Sequence, residues 1–429
     1  MYKTGLILFF SFWFLGLSGQ TENIKVLQYN LMYYKASSAP CTHSRTTTQR
    51  DNDLKTIVSS QNPDIFLVNE LGPSAVNPLV MMADILNVNG INHFQRASSS
   101  NNSSSNLVNM LFFNKDKFVL KAQDKIELDI NNAPLIRVID FYHLYVKDAG
   151  LGSPGVDTVF FSIGLAHLKA GNSSSDATAR DRATQAVMDY IDNLGEANVL
   201  FAGDLNVYSS NQAAFQNLVN YSTNPAISLN DPISQLGSWN NNSNFATVHT
   251  QSTHSSSNGC FSGGGMDDRF DFILASDAII NNTDGLSYKS YRTVGQDGGS
   301  YNNNLSTNNN TAVSSSVASA LFNFSDHLPV MLEMEASVSG IGLSEDELLA
   351  KAWHFKNPVQ SQINIYLDEL LRERKLEVNL YDLLGKKVKS VLSHNSKTVN
   401  VPTGALSQGI YLLSLSSGTW TETRKVIVE

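Results

Sequence analysis

Between residues 24 and 332 the chain repeats one hydropathy pattern, a short run of Val, Ile, Leu and Phe closed on each side by turn residues. The runs fall at 24–29, 64–68, 108–113, 135–142, 159–168, 199–203, 270–274 and 328–332. Runs this short and this rich in β-branched and aromatic residues read as buried strands rather than helices. Helical spacing, with apolar residues three and four apart beside polar faces, is found at 51–60, 78–86 and 181–194. The pattern predicts an α/β chain with strands in the majority. With 42% hydrophobic and 16% charged residues there is ample material for a core, so wholesale disorder is excluded.

The ends of the sequence read differently. One positive charge at Lys3, an apolar run over 6–17 and small or polar residues to Gln20 describe a secretory signal peptide over residues 1–20. Export exposes Cys41 and Cys260 to an oxidising compartment where they can pair, although separation in sequence says nothing about their distance in space. No apolar run long enough to span a bilayer follows residue 20, which predicts no transmembrane segment in the mature chain. The Asn/Ser-rich stretches 98–106 and 281–316 lack apolar periodicity and read as surface loops. Residues 338–355 read as a linker. Beyond it, strands alternate with tight turns at 363–366, 376–381, 388–391, 398–401, 409–415 and 425–428, predicting a small β-sandwich over residues 356–429. The catalytic part is thus expected over residues 21–337.

Charge bounds the partners. The net charge of −9 divides into +1 for residues 1–20, +3 for 356–429 and the remaining −13 for 21–355. A middle region this acidic does not hold polyanions by bulk attraction, so phosphate chemistry there must be organised locally. No basic stripe with interleaved aromatics is visible.

Five places end an apolar strand with a polar or ionisable residue: Gln28-Tyr29-Asn30, Val68-Asn69-Glu70, Leu165-Ala166-His167, Gly203-Asp204-Leu205-Asn206, and the pair Arg269-Phe270-Asp271 with Ser325-Asp326-His327. One such residue is usually the chain emerging into solvent. Five together supply hard oxygen ligands for a divalent ion, imidazoles for proton transfer and amides for phosphoryl oxygens. The chemistry they fit is metal-assisted phosphoester cleavage.

These residues, with Asn62-Pro63-Asp64-Ile65 and Leu328-Pro329, occur in the order found in the endonuclease/exonuclease/phosphatase superfamily, which residues 24–335 resemble. The resemblance implies a four-layer α/β sandwich, two mixed β-sheets flanked by helices, with one cleft where the loops of both sheets meet. It implies Glu70 as principal ligand of Mg²⁺, with Mn²⁺ or Ca²⁺ as alternatives, Asn30 beside that metal and Asp326 near its water shell. It places Asp204 and Asn206 on either side of the scissile phosphate and has Asp271 orient His327. It puts His167 at the leaving oxygen, where deoxyribonuclease-like members carry a second histidine. Whether Asp204 or His327 takes the proton from water stays open. Arg269 is expected to tie Asp271 or a phosphate, as a substrate-binding residue, or to be a structural ion-pair partner.

Asn206-Val207-Tyr208 and the segments 167–171 and 265–271 look like secreted members from Bacteroidetes. In the tail, Asn357-Pro358-Val359, Tyr381-Asp382-Leu383-Leu384-Gly385-Lys386 and Gly409-Ile410-Tyr411 resemble the type IX secretion C-terminal sorting domain. Together these imply a secreted or cell-surface monomer handled by type IX machinery. The expected activity is a nuclease on extracellular nucleic acid. Alternatives are a phospholipid, sphingomyelin or inositol-phosphate hydrolase and a non-catalytic scaffold of the same fold. His249 and His254, in a Ser/Asn-rich segment without zinc spacing, read as solvated.

Overall fold

The computed structural model describes residues 20–98, 105–147, 158–338, 349–350, 352–418 and 420–429. The signal-peptide reading lies outside these residues, as do most of the 98–106 loop and most of the linker. Two compact units are present, the described residues up to Val338 and those from Leu349 onward.

In the first unit each predicted apolar run overlaps a strand. The strands are β1 (Gln20–Tyr34), β2 (Ile65–Leu71), β3 (Phe94–Arg96), β4 (Val108–Asn114), β5 (Phe118–Leu128), β6 (Pro134–Val146), β7 (Phe160–His167), β8 (Val199–Asp204), β9 (Leu229–Asn230), β10 (Asp271–Ser276), β11 (Leu286–Thr293) and β12 (Val330–Val338). They form two six-stranded sheets, ordered β11-β12-β1-β2-β4-β3 and β5-β6-β7-β8-β10-β9. Both are mixed, since β1 runs parallel to β2 and β7 parallel to β8 while the other neighbours are antiparallel.

Helices cover both outer faces. Helix α1 (Thr47–Gln61) starts at a Thr46–Gln49 capping box, and α2 (Val76–Met81) follows β2. Helix α3 (Ser174–Leu194) starts at a Ser173–Asp176 capping box and ends on Gly195 in the left-handed region. Helices α4 (Ala213–Val219), α5 (Asp277–Asn281) and α6 (Ser315–Phe324) complete the set. One core lies between the sheets and under α1 and α6, and a second lies between α3, α4 and the outer face of β7, β8 and β10. The layers are therefore helix, sheet, sheet, helix, as the four-layer reading requires.

The sequence pattern misses β3, β5, β9 and β11, the four sheet edges. β3 and β9 are only three and two residues long, β5 carries four charged side chains in eleven residues and buries little, and β11 lies inside the stretch 281–316 read as a loop. An edge strand needs only one buried face, so its apolar signal is weak.

In the second unit a three-stranded sheet, β13 (Trp353–Phe355), β14 (Gln362–Leu367) and β17 (Thr398–Pro402), shares a core with a four-stranded one. The latter contains β16 (Lys387–Ser393), β15 (Leu376–Tyr381), β18 (Gly409–Ser417) and β19 (Trp420–Val428). This is the expected small antiparallel β-sandwich. Among the described residues no helix is long and apolar enough to cross a membrane.

Candidate active site

Strand alternation sets the inventory of the site. On β1, Tyr29 packs on Phe324 of the helix layer with ring centroids 5.5 Å apart, so Gln28 and Asn30 point the other way, into the space between the sheets. There Gln28 Nε2 donates to Asp271 Oδ1 at 3.3 Å and Asn30 Nδ2 donates to Asp204 Oδ2 at 3.0 Å. β2 breaks its alternation. Its registers with β1 and β4 shift between Val68 and Leu71, and Glu70 has a φ of 58°. Asn69 and Glu70 consequently both reach the sheet interface, where Asn69 bonds Asn109 and Glu70 accepts from Asn30 at 3.1 Å. A bulge that re-aims a side chain in this way is a recurrent device beside functional sites.

The second sheet supplies a row of three. His167 on β7 pairs with Asp204 on β8, and Asp204 pairs with Asp271 on β10. Gly203 makes the approach possible: its φ is 134°, and a Cβ there would meet the carbonyl oxygen of Ala166 at 1.8 Å. Ser325 ties in the last segment, donating to the Asn30 carbonyl at 2.8 Å while its Oγ accepts from the His327 N–H at 3.1 Å.

His167 Nε2 lies 3.5 Å from Asp204 Oδ2 and 3.7 Å from Glu70 Oε1, and His327 Nε2 lies 3.8 Å from Asp204 Oδ2. His327 Nδ1 stands 2.7 Å from Asp271 Oδ2. All of these residues except Asp271 line one cleft of about 370 Å³, together with Asn206 and Asp326. Asn206 donates to the Leu168 carbonyl at 3.3 Å. Asp326 Oδ2 accepts from the Ser262 N–H at 3.0 Å and from Gln251 at 3.3 Å.

Burial governs the electrostatics. It pushes the Asp204 carboxyl up to about 7, a rise that His327 opposes and that Asp271 and Glu70 reinforce. It also raises Glu70, against the pull of His327 and the hydrogen bond from Asn30. Burial disfavours charge on His327, yet Asp271, Asp204 and Asp326 together hold its pKa well above the ordinary value. His167, buried and facing the positive Arg137 and His327, is held well below it.

Glu70, His167 and Asp204 offer ligand atoms within 4.8 Å of one another, two carboxylates and one imidazole that can hold a divalent cation. A buried Asp204 and a largely buried Glu70, both with raised pKa, are relieved by such a charge, and the donor set suits a hard or borderline ion. Asn30 stands beside these ligands: its nitrogen faces Glu70 and Asp204 while its oxygen accepts from the Met32 N–H at 2.9 Å, an arrangement that orients the carboxylates.

Of the two roles expected of Arg269 the geometry fits the structural one and corrects the substrate-binding one: it is 1% exposed and makes two 2.8 Å bonds to Asp231 rather than reaching Asp271. His249 and His254 are buried rather than solvated. His249 lies between the carbonyls of Trp239 at 2.9 Å and Met266 at 3.2 Å, and His254 stacks between Phe261 and Phe322. Their Ser/Asn-rich segment is packed because Cys41 and Cys260 form a disulfide that draws it against the loop after β1. Sequence reasoning missed Gln251, whose amide lies 2.7 Å from His327 Nε2. Nothing in its Thr-Gln-Ser context marks it. The amides of Gln28 and Asn69 could have been found, since they stand beside Asn30 and Glu70 on the same strand ends.

Residues 355–429 match the family described as the secretion system C-terminal sorting domain, which bears out the resemblance of the tail. No curated protein matches the chain by sequence. Solved structures similar to it include an endonuclease/exonuclease/phosphatase family protein from Bacteroides thetaiotaomicron, 16% identical, covering 74% of this chain and 99% of that one with a TM-score of 0.45. Another from Beutenbergia cavernae is 15% identical, covers 94% of this chain and 99% of that one, and has a TM-score of 0.45. The human Nocturnin catalytic domain is 14% identical, covering 74% of this chain and 97% of that one with a TM-score of 0.47.

Proposed function

We propose that the first unit is a divalent-metal-dependent phosphoester hydrolase that uses water as nucleophile. The observation that carries the reading is the convergence of Glu70, His167 and Asp204 with the Asp271–His327 pair in one cleft. Glu70 and Asp204 hold the cation, which when bound neutralises charge on the phosphoryl and leaving oxygens.

The remaining steps belong to the side chains. Water attacks phosphorus opposite the ester oxygen, the P–O bond to the alcohol breaks, and the alcohol leaves with a proton. Asp204 and His327 lie close enough to share the proton taken from water, so they act as a coupled pair. Asp271 fixes the tautomer and ring plane of His327. Asn206 lines the cleft with an amide that can donate to a non-bridging oxygen. His167 Nε2 has two uses at one place: with a lone pair it ligates the cation, and with a proton it donates to the leaving oxygen.

The motif resemblance suggests extracellular nucleic acid as substrate, with lipid or inositol phosphoesters as alternatives. The side chains described here act on the phosphate itself and are indifferent to what flanks it. The leader and the sorting tail support export by type IX secretion to the cell surface or medium.

The test is phosphoester hydrolysis by the chain without its leader, in Mg²⁺ or Mn²⁺, against DNA, RNA, sphingomyelin and soluble phosphomonoesters. Turnover that vanishes with EDTA and in Glu70→Gln supports the reading. No turnover of any ester, with metal binding unaffected in Glu70→Gln, contradicts it.

A further inference from the structure

A row of amides crosses the core behind the cleft. Gln28 on β1, Asn69 on β2 and Asn109 on β4 stand on neighbouring strands of the first sheet, and all three side chains are buried. Asp271 on β10 and Asp140 on β6, both of the second sheet, close the row at its two ends. Every link is a hydrogen bond. Gln28 Nε2 donates to Asp271 Oδ1 at 3.3 Å and to Asn69 Oδ1 at 2.9 Å. Asn69 Nδ2 donates to Asn109 Oδ1 at 2.8 Å, and Asn109 Nδ2 donates to Asp140 Oδ2 at 3.1 Å. A buried amide adds little net stability over an apolar side chain of the same shape, so such a row between two sheets calls for a reason beyond packing.

The backbone fixes which way each amide faces. Asn109 Nδ2 also meets the carbonyls of Val138 at 3.0 Å and Leu165 at 3.2 Å, and Asn69 Nδ2 meets that of Ala166 at 3.1 Å. Carbonyls only accept, so both nitrogens must face them. Asn69 Oδ1 in turn accepts from the Asp204 N–H at 3.3 Å and presents an acceptor to Gln28.

Gln28 is left with one orientation. Its nitrogen faces the oxygens of Asn69 and Asp271, and among the described residues its Oε1 has no hydrogen-bond partner. A buried acceptor without a donor is costly, and an apolar residue at this place would avoid it. What the amide supplies is a donor on Asp271 Oδ1, which leaves Asp271 Oδ2 for His327 Nδ1 at 2.7 Å. Turned over, the same amide would set its oxygen against the Asp271 carboxylate and push that carboxylate off the imidazole.

We propose that Gln28 is a positioning residue for His327, held in its donating orientation by Asn69 and Asn109. Side chains that do not line the cleft thereby set the aim of the imidazole that does. The inference rests on the hydrolase reading above and deepens it.

The test compares Gln28→Met and Asn109→Leu with the parent chain, without its leader and loaded with Mn²⁺. The ester is the one the parent hydrolyses fastest among DNA, RNA, sphingomyelin and a soluble phosphomonoester. Gln28→Met should lower kcat by about 10-fold to 100-fold, with KM and Mn²⁺ affinity near parental, and Asn109→Leu should act in the same direction but less. Added to Asp271→Asn, Gln28→Met should cost no more than about twofold further, because the carboxylate it acts on is already altered. In the metal-free chain labelled with ¹⁵N in its histidines, the ring-nitrogen signals that vanish in His327→Ala should move in both variants. If Gln28→Met does not fold, Asn109→Leu, which is farther along the row from His327, carries the same comparison. Parental kcat in a folded variant, with the His327 ring signals unmoved, overturns the inference and leaves the hydrolase reading standing, as does a loss that multiplies with that of Asp271→Asn. If the parent hydrolyses none of the four esters the hydrolase reading falls, and the ring signals alone then decide the positioning.

Discussion

His327 Nδ1 lies 2.7 Å from Asp271 Oδ2, and both side chains are almost wholly buried. Gln28 holds the other Asp271 oxygen at 3.3 Å, so the imidazole is anchored through β10 to β1 of the facing sheet. A histidine fixed in this way presents only Nε2 to the cleft, 3.8 Å from Asp204.

His327→Ala is expected to lower kcat by about 10²–10⁴, the range for a positioned acid or base, with Mn²⁺ affinity little changed. Asp271→Asn should lower kcat in the same direction while leaving KM near that of the parent, because Asp271 lies outside the cleft lining. Steady-state kinetics with separate metal titrations check both.

Metal binding should stabilise the first unit. Cation binding offsets the burial that raises Glu70 and Asp204, and at a hundred times its Kd it adds about 2.7 kcal/mol. Thermal unfolding with and without Mn²⁺ should show an upward shift that is absent in the Glu70→Gln, Asp204→Asn double variant. An equal shift in that variant places the cation elsewhere.

Removing Arg269 should damage the fold rather than binding. Arg269→Met leaves the Asp231 carboxylate buried and unpaired, at a cost of about 3–5 kcal/mol. The surviving folded enzyme should keep the parental KM, read from kinetics at low temperature beside urea midpoints. A raised KM with unchanged stability would restore Arg269 to the substrate.

Asp140 gives the first unit a pH dependence away from the cleft. Burial between the sheets pushes its carboxyl up from 3.8 to about 8, only partly offset by the Asn109 and Gln123 amides. Between about pH 4 and 8 the folded chain keeps a proton that the unfolded chain has released. Stability therefore falls as pH rises through that window, by about 1.4 kcal/mol per unit from this group. Asp140→Asn should flatten the profile, and urea midpoints at pH 5 and pH 8 that move in parallel in parent and variant would refute it.

The strands that carry the site were legible because each is a central strand whose two faces are both buried, which turns its sequence into an unbroken apolar run. The residues at their ends stood out against that background, and Asn30, Glu70, His167, Asp204, Asp271 and His327 do meet. Edge strands β5 and β11 left no such run. Arg269 stayed open between two roles because its partner, Asp231, lies thirty-eight positions away in a loop, and a charge next to Phe270-Asp271 looks functional until that contact is seen. His249 and His254 misled because a Ser/Asn-rich segment normally stays in solvent, whereas here the Cys41–Cys260 bridge and the Phe261 and Phe322 rings bury it.

The most direct measurement is anomalous scattering from crystals of the first unit and its tail soaked in Mn²⁺, collected for the parent chain and for Glu70→Gln. A peak in contact with the Glu70 and Asp204 carboxylates that disappears in Glu70→Gln is the expected result. A parent chain that binds Mn²⁺ only away from those two carboxylates contradicts the proposed centre.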